Sequence, residues 1–347
     1  MTRLSERPAL SIVVPTVDDT AALEETLVSI LENRPADCEI IVPIACRYDD
    51  PWNIGEEVRF VVAPPHASFV ACTNLGIAAS RGRVIHVLAA GWRATHGWAE
   101  AALASFDDLA TGLRHGMVAA VVPLVVSAQD RARVVSTGVR LTAGGRRVRL
   151  APKRERANPD ATDFDVSAVR PSAPRVEAGF WRADALAVSG TGFAADCGDV
   201  LCDVDMAVTI EAVRGRVTIA TDARVVEGPA VVEPNAFVHG VRAERVFWRS
   251  LAERPLLASL LLHGWEVVRS ALATAPLGTL PMLLGRAVAL LQFGSYFAHA
   301  RHMRAVRAAR EDDGAVEPTT VRIDQPHASL RKPRGHGRGE PPLRKSA

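Results

Sequence analysis

Apolar positions fall along this chain in two rhythms. Residues 10–15, 39–44, 58–62, 84–88 and 117–126 are short, largely apolar runs, which read as buried strands of a sheet. Between the first two, Leu23, Leu27, Ile30 and Leu31 recur at helical spacing and make one apolar stripe. Asp18, Asp19 or Thr20 is placed to cap that helix and Pro35 to stop it. Ser68 caps a second, Ala-rich helix that runs to about Ser80 and breaks at Arg81-Gly82. A third is expected from Gly97-Trp98 to Phe106. Strand and helix alternating at short intervals predict a mostly parallel sheet with helices on both faces. A ligand then belongs at the carboxyl ends of the strands, where Ala89-Ala90-Gly91 follows the fourth run.

From residue 134 the rhythm changes. Residues 134–139 and 146–150 flank Ala143-Gly144-Gly145, a hairpin signal. Residues 151–174 are polar, contain Pro and lack periodicity, which reads as a loop over the sheet. A strand at 176–181, a short helix at 182–188 ended by Gly190 and Gly192, a helix at 203–213 and a last strand at 217–220 follow. Beyond residue 234 the chain is helical and strongly apolar, in stretches 236–252, 256–274 and 277–298. The middle stretch carries a stripe of Leu257, Leu261, Gly264, Val268 and Leu272, and the last is interrupted by Pro281 and Arg286. The expected plan is a tail at 1–9, an α/β domain at 10–228, a helical region at 229–310 and a disordered basic tail at 311–347.

The 347 residues are 48% hydrophobic and 23% charged, enough for a sizeable core. A net charge of +2 argues against a dedicated nucleic-acid binder. Five cysteines with no Cys-x-x-Cys pair are expected as free thiols in a reducing compartment. The first eight residues are polar and charged, so no secretory leader is expected. The chain is placed in the cytoplasm or on the cytosolic face of a membrane.

Five motifs occur in a telling order: Ser11-Ile-Val-Val-Pro-Thr16, Glu39-Ile-Ile-Val42, Cys72-Thr-Asn-Leu-Gly-Ile-Ala-Ala-Ser-Arg-Gly82, Gly97-Trp98 and Cys202-Asp-Val-Asp-Met206. Over about two-thirds of the chain they resemble the family 2 glycosyltransferases. The resemblance implies a GT-A fold: a Rossmann-like, mostly parallel central sheet with an antiparallel hairpin, here followed by C-terminal helices. It implies transfer of a sugar from a nucleotide-sugar donor to a glycan or lipid-linked acceptor. Asp203, in the segment matching the family's Glu-Asp-x-Asp-Leu, is the implied catalytic base. Pro15, Thr16, Asn74, Ala89, Gly91 and Arg93 are the implied donor-crevice residues.

The departures from the family fall at its chemistry. Ile44-Ala45 stand where an acidic pair would read the nucleoside, and Ala89-Ala90-Gly91 stand where Asp-x-Asp would bind a divalent metal. No metal or other cofactor is therefore expected, and a guanidinium at Arg93, Arg47, Arg81 or Arg83 is a candidate for the diphosphate. Asp49 and Asp50 are either a shifted acidic pair or a solvated loop. Asp203 and Asp205 are expected near a helix start, as base or as caps. His86 is read as a core or crevice histidine. The chain is thus a transferase working without the usual metal, or an inactive GT-A-fold binding or scaffold protein for a glycan, nucleotide or partner enzyme. Residues 256–298 have three possible fates: packing on the domain or a second copy, lying in a membrane interface, or spanning, which Arg286 opposes.

Overall fold

A computed structural model of the chain describes residues 7–107, 109, 112–152, 168–190, 192–232, 235–251 and 254–314. The apolar runs become strands β1 (Leu10–Val13), β2 (Cys38–Ile44), β3 (Arg59–Val62), β4 (Val84–Val87) and β6 (Val118–Val126), with a two-residue β5 (Arg93–Ala94) between the last two. All four residues of β1, all four of β4 and all nine of β6 are buried, whereas β3, expected to be buried too, lies at the sheet edge with Arg59 and Val62 exposed. The helices between them are α1 (Thr20–Glu32), α2 (Phe69–Ala79) and α3 (Trp98–Leu103). Asp19 caps α1 by accepting from the Ala22 N–H, and Ser68 caps α2 by accepting from the Ala71 N–H.

The second half supplies β7 (Val134–Ser136), β8 (Val139–Leu141), β9 (Arg147–Arg149), β10 (Phe180–Arg182), α4 (Ala183–Ala187), α5 (Gly198–Ala212) and β11 (Arg216–Val226). The main sheet runs β3-β2-β1-β4-β10-β6-β11-β5, with β7 also paired to β6. β1 to β4 are mutually parallel, as are β6 and β11, while β10 joins the two blocks antiparallel to both β4 and β6. β4 therefore lies inside the sheet.

Three expectations are corrected. The hairpin is β8 with β9, whereas residues 134–136 fold back onto β6, because Gly138, at φ +98, breaks the run in two. The helix around Asp203 begins five residues earlier, after Gly198 (φ +72), so Asp203 and Asp205 lie inside α5 and cap nothing. The last apolar stretch is two helices. After α6 (Ala236–Ser250) and α7 (Leu256–Ala273) come α8 (Thr279–Leu290) and α9 (Phe293–Gly314), with a 62° bend between the last two. The corner is pinned by Arg245 donating to Gln292 (2.6 Å) and by the Tyr296 hydroxyl donating to the Ala289 carbonyl (2.8 Å). The loop expected at 151–174 lies in part outside the described residues; of the disordered tail expected at 311–347, residues 311–314 instead end α9 and the rest lies outside the described residues.

Where the two blocks meet, the core is aromatic: Phe180, Trp181, Trp98, Trp92 and Phe193 are fully buried. His86 on β4 stacks on Phe180 at 3.8 Å. Its Nδ1 faces the Gly179 carbonyl at 3.1 Å, and its Nε2 accepts from the Trp98 indole at 3.1 Å, which fixes the neutral Nδ1–H tautomer. Burial pushes this imidazole down to about 3. Below the ordinary histidine value near 6.5, the unfolded chain takes up a proton here and the folded one does not. Stability should therefore fall by about 1.4 kcal/mol per pH unit on acidification through that window. Thermal melts between about pH 6 and pH 4 should show the slope reduced by this one proton in a His86→Leu variant, which starts less stable; an unchanged slope contradicts the assignment.

Candidate active site

The residues expected to line a donor crevice follow β1 and β4 or lie on α2 and β5. Pro15 and Thr16, which follow β1, are buried. Thr16 is stitched to the end of β2: its N–H donates to the Pro43 carbonyl (2.9 Å) and its carbonyl accepts from Ala45 (3.0 Å). Asn74 on α2 clamps the segment before α5, donating to the Phe193 carbonyl and accepting from the Phe193 N–H, both at 2.8 Å. Gly82, ending the Arg-Gly motif, lies so close to β1 that an added Cβ would meet the Ser11 nitrogen at 2.5 Å.

The loop 89–91 follows β4. The Ala89 N–H donates to the Glu177 carbonyl (2.8 Å). Gly91 has φ +83, and its N–H faces the Ala22 carbonyl (2.9 Å) and the Thr26 hydroxyl (2.8 Å). A Cβ at Gly91 would meet Pro229 at 2.6 Å, so a strap after β11 covers the loop and is tied there by Trp92 donating to the Pro229 carbonyl (3.0 Å). Arg93 lies on β5, opposite Val226, and its Nε is buried without a hydrogen-bond partner. Asp49 and Asp50 have separate partners: Asp49 pairs with Arg47 at the surface (2.8 Å), and the Asp50 carboxylate accepts from Ile54 (2.9 Å) and Gly55 (3.0 Å).

Asp203 projects from α5 toward the hairpin and is fully buried. The Arg147 guanidinium grips it through Nε (2.9 and 3.1 Å) and Nη2 (2.7 Å), and the Val204 N–H donates to it at 2.7 Å. Beside this pair lies a second one. Arg175 donates to Glu177 (2.7 Å) and to Glu227 (2.9 Å), and stacks over Trp92 at 4.7 Å. Arg149 reaches the same Glu227 at 3.2 Å. Three guanidiniums and three carboxylates thus form one cluster, contributed by β9, α5, the end of β11 and the segment before β10. Asp205, on another face of α5, is held by Arg249 at 2.5 and 2.9 Å.

The electrostatics follow from burial and pairing. Burial pushes the Asp203 carboxyl above its ordinary value, and the Arg147 charge opposes that rise. Burial also disfavours the Glu177 carboxylate, but Arg175 outweighs it and holds the group below the usual range. Burial works against the Arg147 charge too, yet Asp203 and then Glu177 keep it firmly protonated. The loop 89–91 has no carboxylate, the nearby acids are engaged by arginines, and among the described residues no three His, Cys, Asp or Glu side chains gather to hold a metal.

Arg147, Arg149, Arg175, Glu177 and Glu227 escaped the sequence reading. A signal was present at Arg175-Val-Glu177, a charged pair inside the otherwise apolar run 173–181; charges there are costly unless partnered.

With this geometry in view, solved structures decide the fold. TarS from S. aureus, as residues 1–349, superposes with a TM-score of 0.53 at 12% identity, covering 88% of this chain and 91% of that one. The fold is that of the GT-A glycosyltransferases. Weaker likenesses are to GalNAc-T7 with UDP, GalNAc and Mn²⁺ (TM-score 0.49, 14% identity, 72% of this chain) and to the mannosyltransferase PcManGT from Pyrobaculum calidifontis with GDP-Man and Mn²⁺ (0.45, 16%, 89% of this chain and 88% of that one). The chain spans about half, 51%, of the length of GalNAc-T7. No family model and no curated protein matches the sequence.

Proposed function

We propose that this chain is a glycosyltransferase of the family 2 type, transferring a sugar from a nucleotide-sugar donor to a glycan or lipid-linked acceptor without an Asp-x-Asp metal site. The observation that carries the reading is the Asp203–Arg147 pair, set among further arginines at the strand ends of a GT-A fold. In an inverting transfer the acceptor oxygen bonds to the anomeric carbon as the bond to the donor diphosphate breaks. Asp203 takes the acceptor's proton. The diphosphate leaves with both electrons of the broken bond, and guanidiniums meet its charge where a cation otherwise would. Arg147 is the natural exchange partner. Its side chain is 17% exposed against 0% for Asp203, and a phosphate competes for the same bidentate donors. Drawn to the donor, Arg147 releases the Asp203 carboxylate for proton transfer.

Calorimetric titration of the full chain with UDP-sugars and GDP-sugars, with and without Mn²⁺, tests the donor half of this reading. At least one donor should bind with an affinity that Mn²⁺ changes by less than about tenfold, or about 1.4 kcal/mol. A larger gain overturns metal independence and directs attention to Asp49 and Asp50.

A further inference from the structure

The C-terminal helices leave one large apolar face uncovered. α7 touches the domain along a single side. Ser259 and His263 are its buried residues. The His263 ring stacks on Phe247 at 3.6 Å and bridges the Gly144 carbonyl (2.9 Å) and the Glu244 carboxylate (3.0 Å). Glu266, one turn on, pairs with Arg146 across the gap (3.1 Å). The opposite side carries Leu257, Leu261, Trp265, Val268 and Leu272 at helical spacing, and Leu257, Leu261 and Leu272 each keep at least 70% of their surface exposed. On α8 and the corner beyond it, Leu280, Leu284 and Leu291 continue the face, at 65%, 52% and 86% exposure. So wide an apolar patch on a folded chain marks a docking surface.

Charge selects the occupant. α7 to α9 contain Arg269, Arg286, Arg301, Arg304, Arg307 and Arg310 against Glu266 and, at the end of α9, Glu311, Asp312 and Asp313; Arg269 pairs with Glu266 and Arg286 with Glu244. Arg301 and Arg304 are exposed on α9. A two-fold contact with a second copy would bring this cationic segment against itself, which like charge disfavours. An anionic lipid surface accepts both the leucines and the arginines. The sequence beyond the described residues adds Arg331, Lys332, Arg334, Arg338, Arg344 and Lys345.

We infer that α7 and α8 lie in the headgroup boundary of an anionic bilayer, one face in lipid and the other on the domain. α7 is long and apolar enough to cross a membrane, but crossing would surround it with lipid and strip the His263 and Glu266 contacts from the domain. Arg286 does not stand in the way of this arrangement: it is buried in α8 and donates to Glu244 at 2.8 Å.

Vesicle flotation of the full chain tests the inference separately from catalysis. Wild type should float with phosphatidylcholine vesicles containing phosphatidylglycerol, float much less with phosphatidylcholine alone, and be released by alkaline carbonate. The triple variant Leu257→Ser/Leu261→Ser/Leu272→Ser should bind about tenfold less or weaker still, since each leucine loses its apolar transfer into lipid. Its melting temperature should hold, because these side chains touch solvent in the folded chain. Three results overturn the inference: wild type that ignores both vesicles, binding that resists carbonate, and a soluble dimer dissociated by the same substitutions in place of vesicle binding.

Discussion

Replacing Arg147 by Met is expected to lower the stability of the chain by about 3–5 kcal/mol at neutral pH, the usual cost of leaving a buried charge without its partner. Asp203 has no exposed surface, and after the loss of Arg147 the Val204 N–H is the remaining hydrogen-bond donor to it among the described residues. The sign of the pH dependence follows from the same geometry. Burial already raises the Asp203 carboxyl in the intact chain against the pull of Arg147, and without that pull it rises further. A carboxyl whose folded value lies above its unfolded one destabilises at high pH, and the penalty disappears as pH falls through the folded value toward the ordinary one. The deficit of Arg147→Met against wild type should therefore shrink on acidification. The double variant Arg147→Met/Asp203→Leu should recover much of the loss, since it removes both charges. Urea unfolding at neutral and mildly acidic pH measures all three; a pH-independent loss below about 1 kcal/mol would mean the pair is no more than a surface contact.

The parts of this fold legible in the sequence are those set by local pattern. β1, β2, β4 and β6 are largely apolar runs because they lie inside the sheet, and Asp19 and Ser68 stand where helix starts need an acceptor. Local pattern also misled. Ala143-Gly144-Gly145 is the hairpin turn its composition predicts, while Gly138, the residue that divides the hairpin from β7, passed as an ordinary strand glycine. The start of α5 was missed because Gly198 opens it after a tight turn, with Asp199 reaching across to accept from the Val70 N–H (2.9 Å).

The candidate site was half legible. The segment around Asp203 could be found by motif, and the empty loop 89–91 by what it lacks. Its partners could not be found that way, because pairing is a property of the folded chain. Arg147 and Asp203 are 56 positions apart, and Arg175 and Glu227 are 52 apart. Arg286 shows the same limit. In the sequence it is a charge interrupting an apolar stretch; in the structure Glu244, 42 positions earlier, neutralises it.

The account stands on Asp203 as the base of a sugar transfer, and Asp203→Asn tests it most directly. Asparagine keeps the shape and can still accept from Arg147, but it cannot take a proton at neutral pH. Asp205→Asn is the matched control, a carboxylate two residues away, equally buried and equally held by an arginine, on another face of the helix. The measurement is nucleoside diphosphate release by the full chain across a panel of nucleotide sugars with candidate acceptors, beside the melting temperature of each variant. Wild type should turn over at least one donor. Asp203→Asn should lower kcat by about 10²–10⁴ while donor binding persists, and Asp205→Asn should act chiefly on stability. Turnover that survives Asp203→Asn, or a wild type that binds donors and releases nothing, would contradict the account.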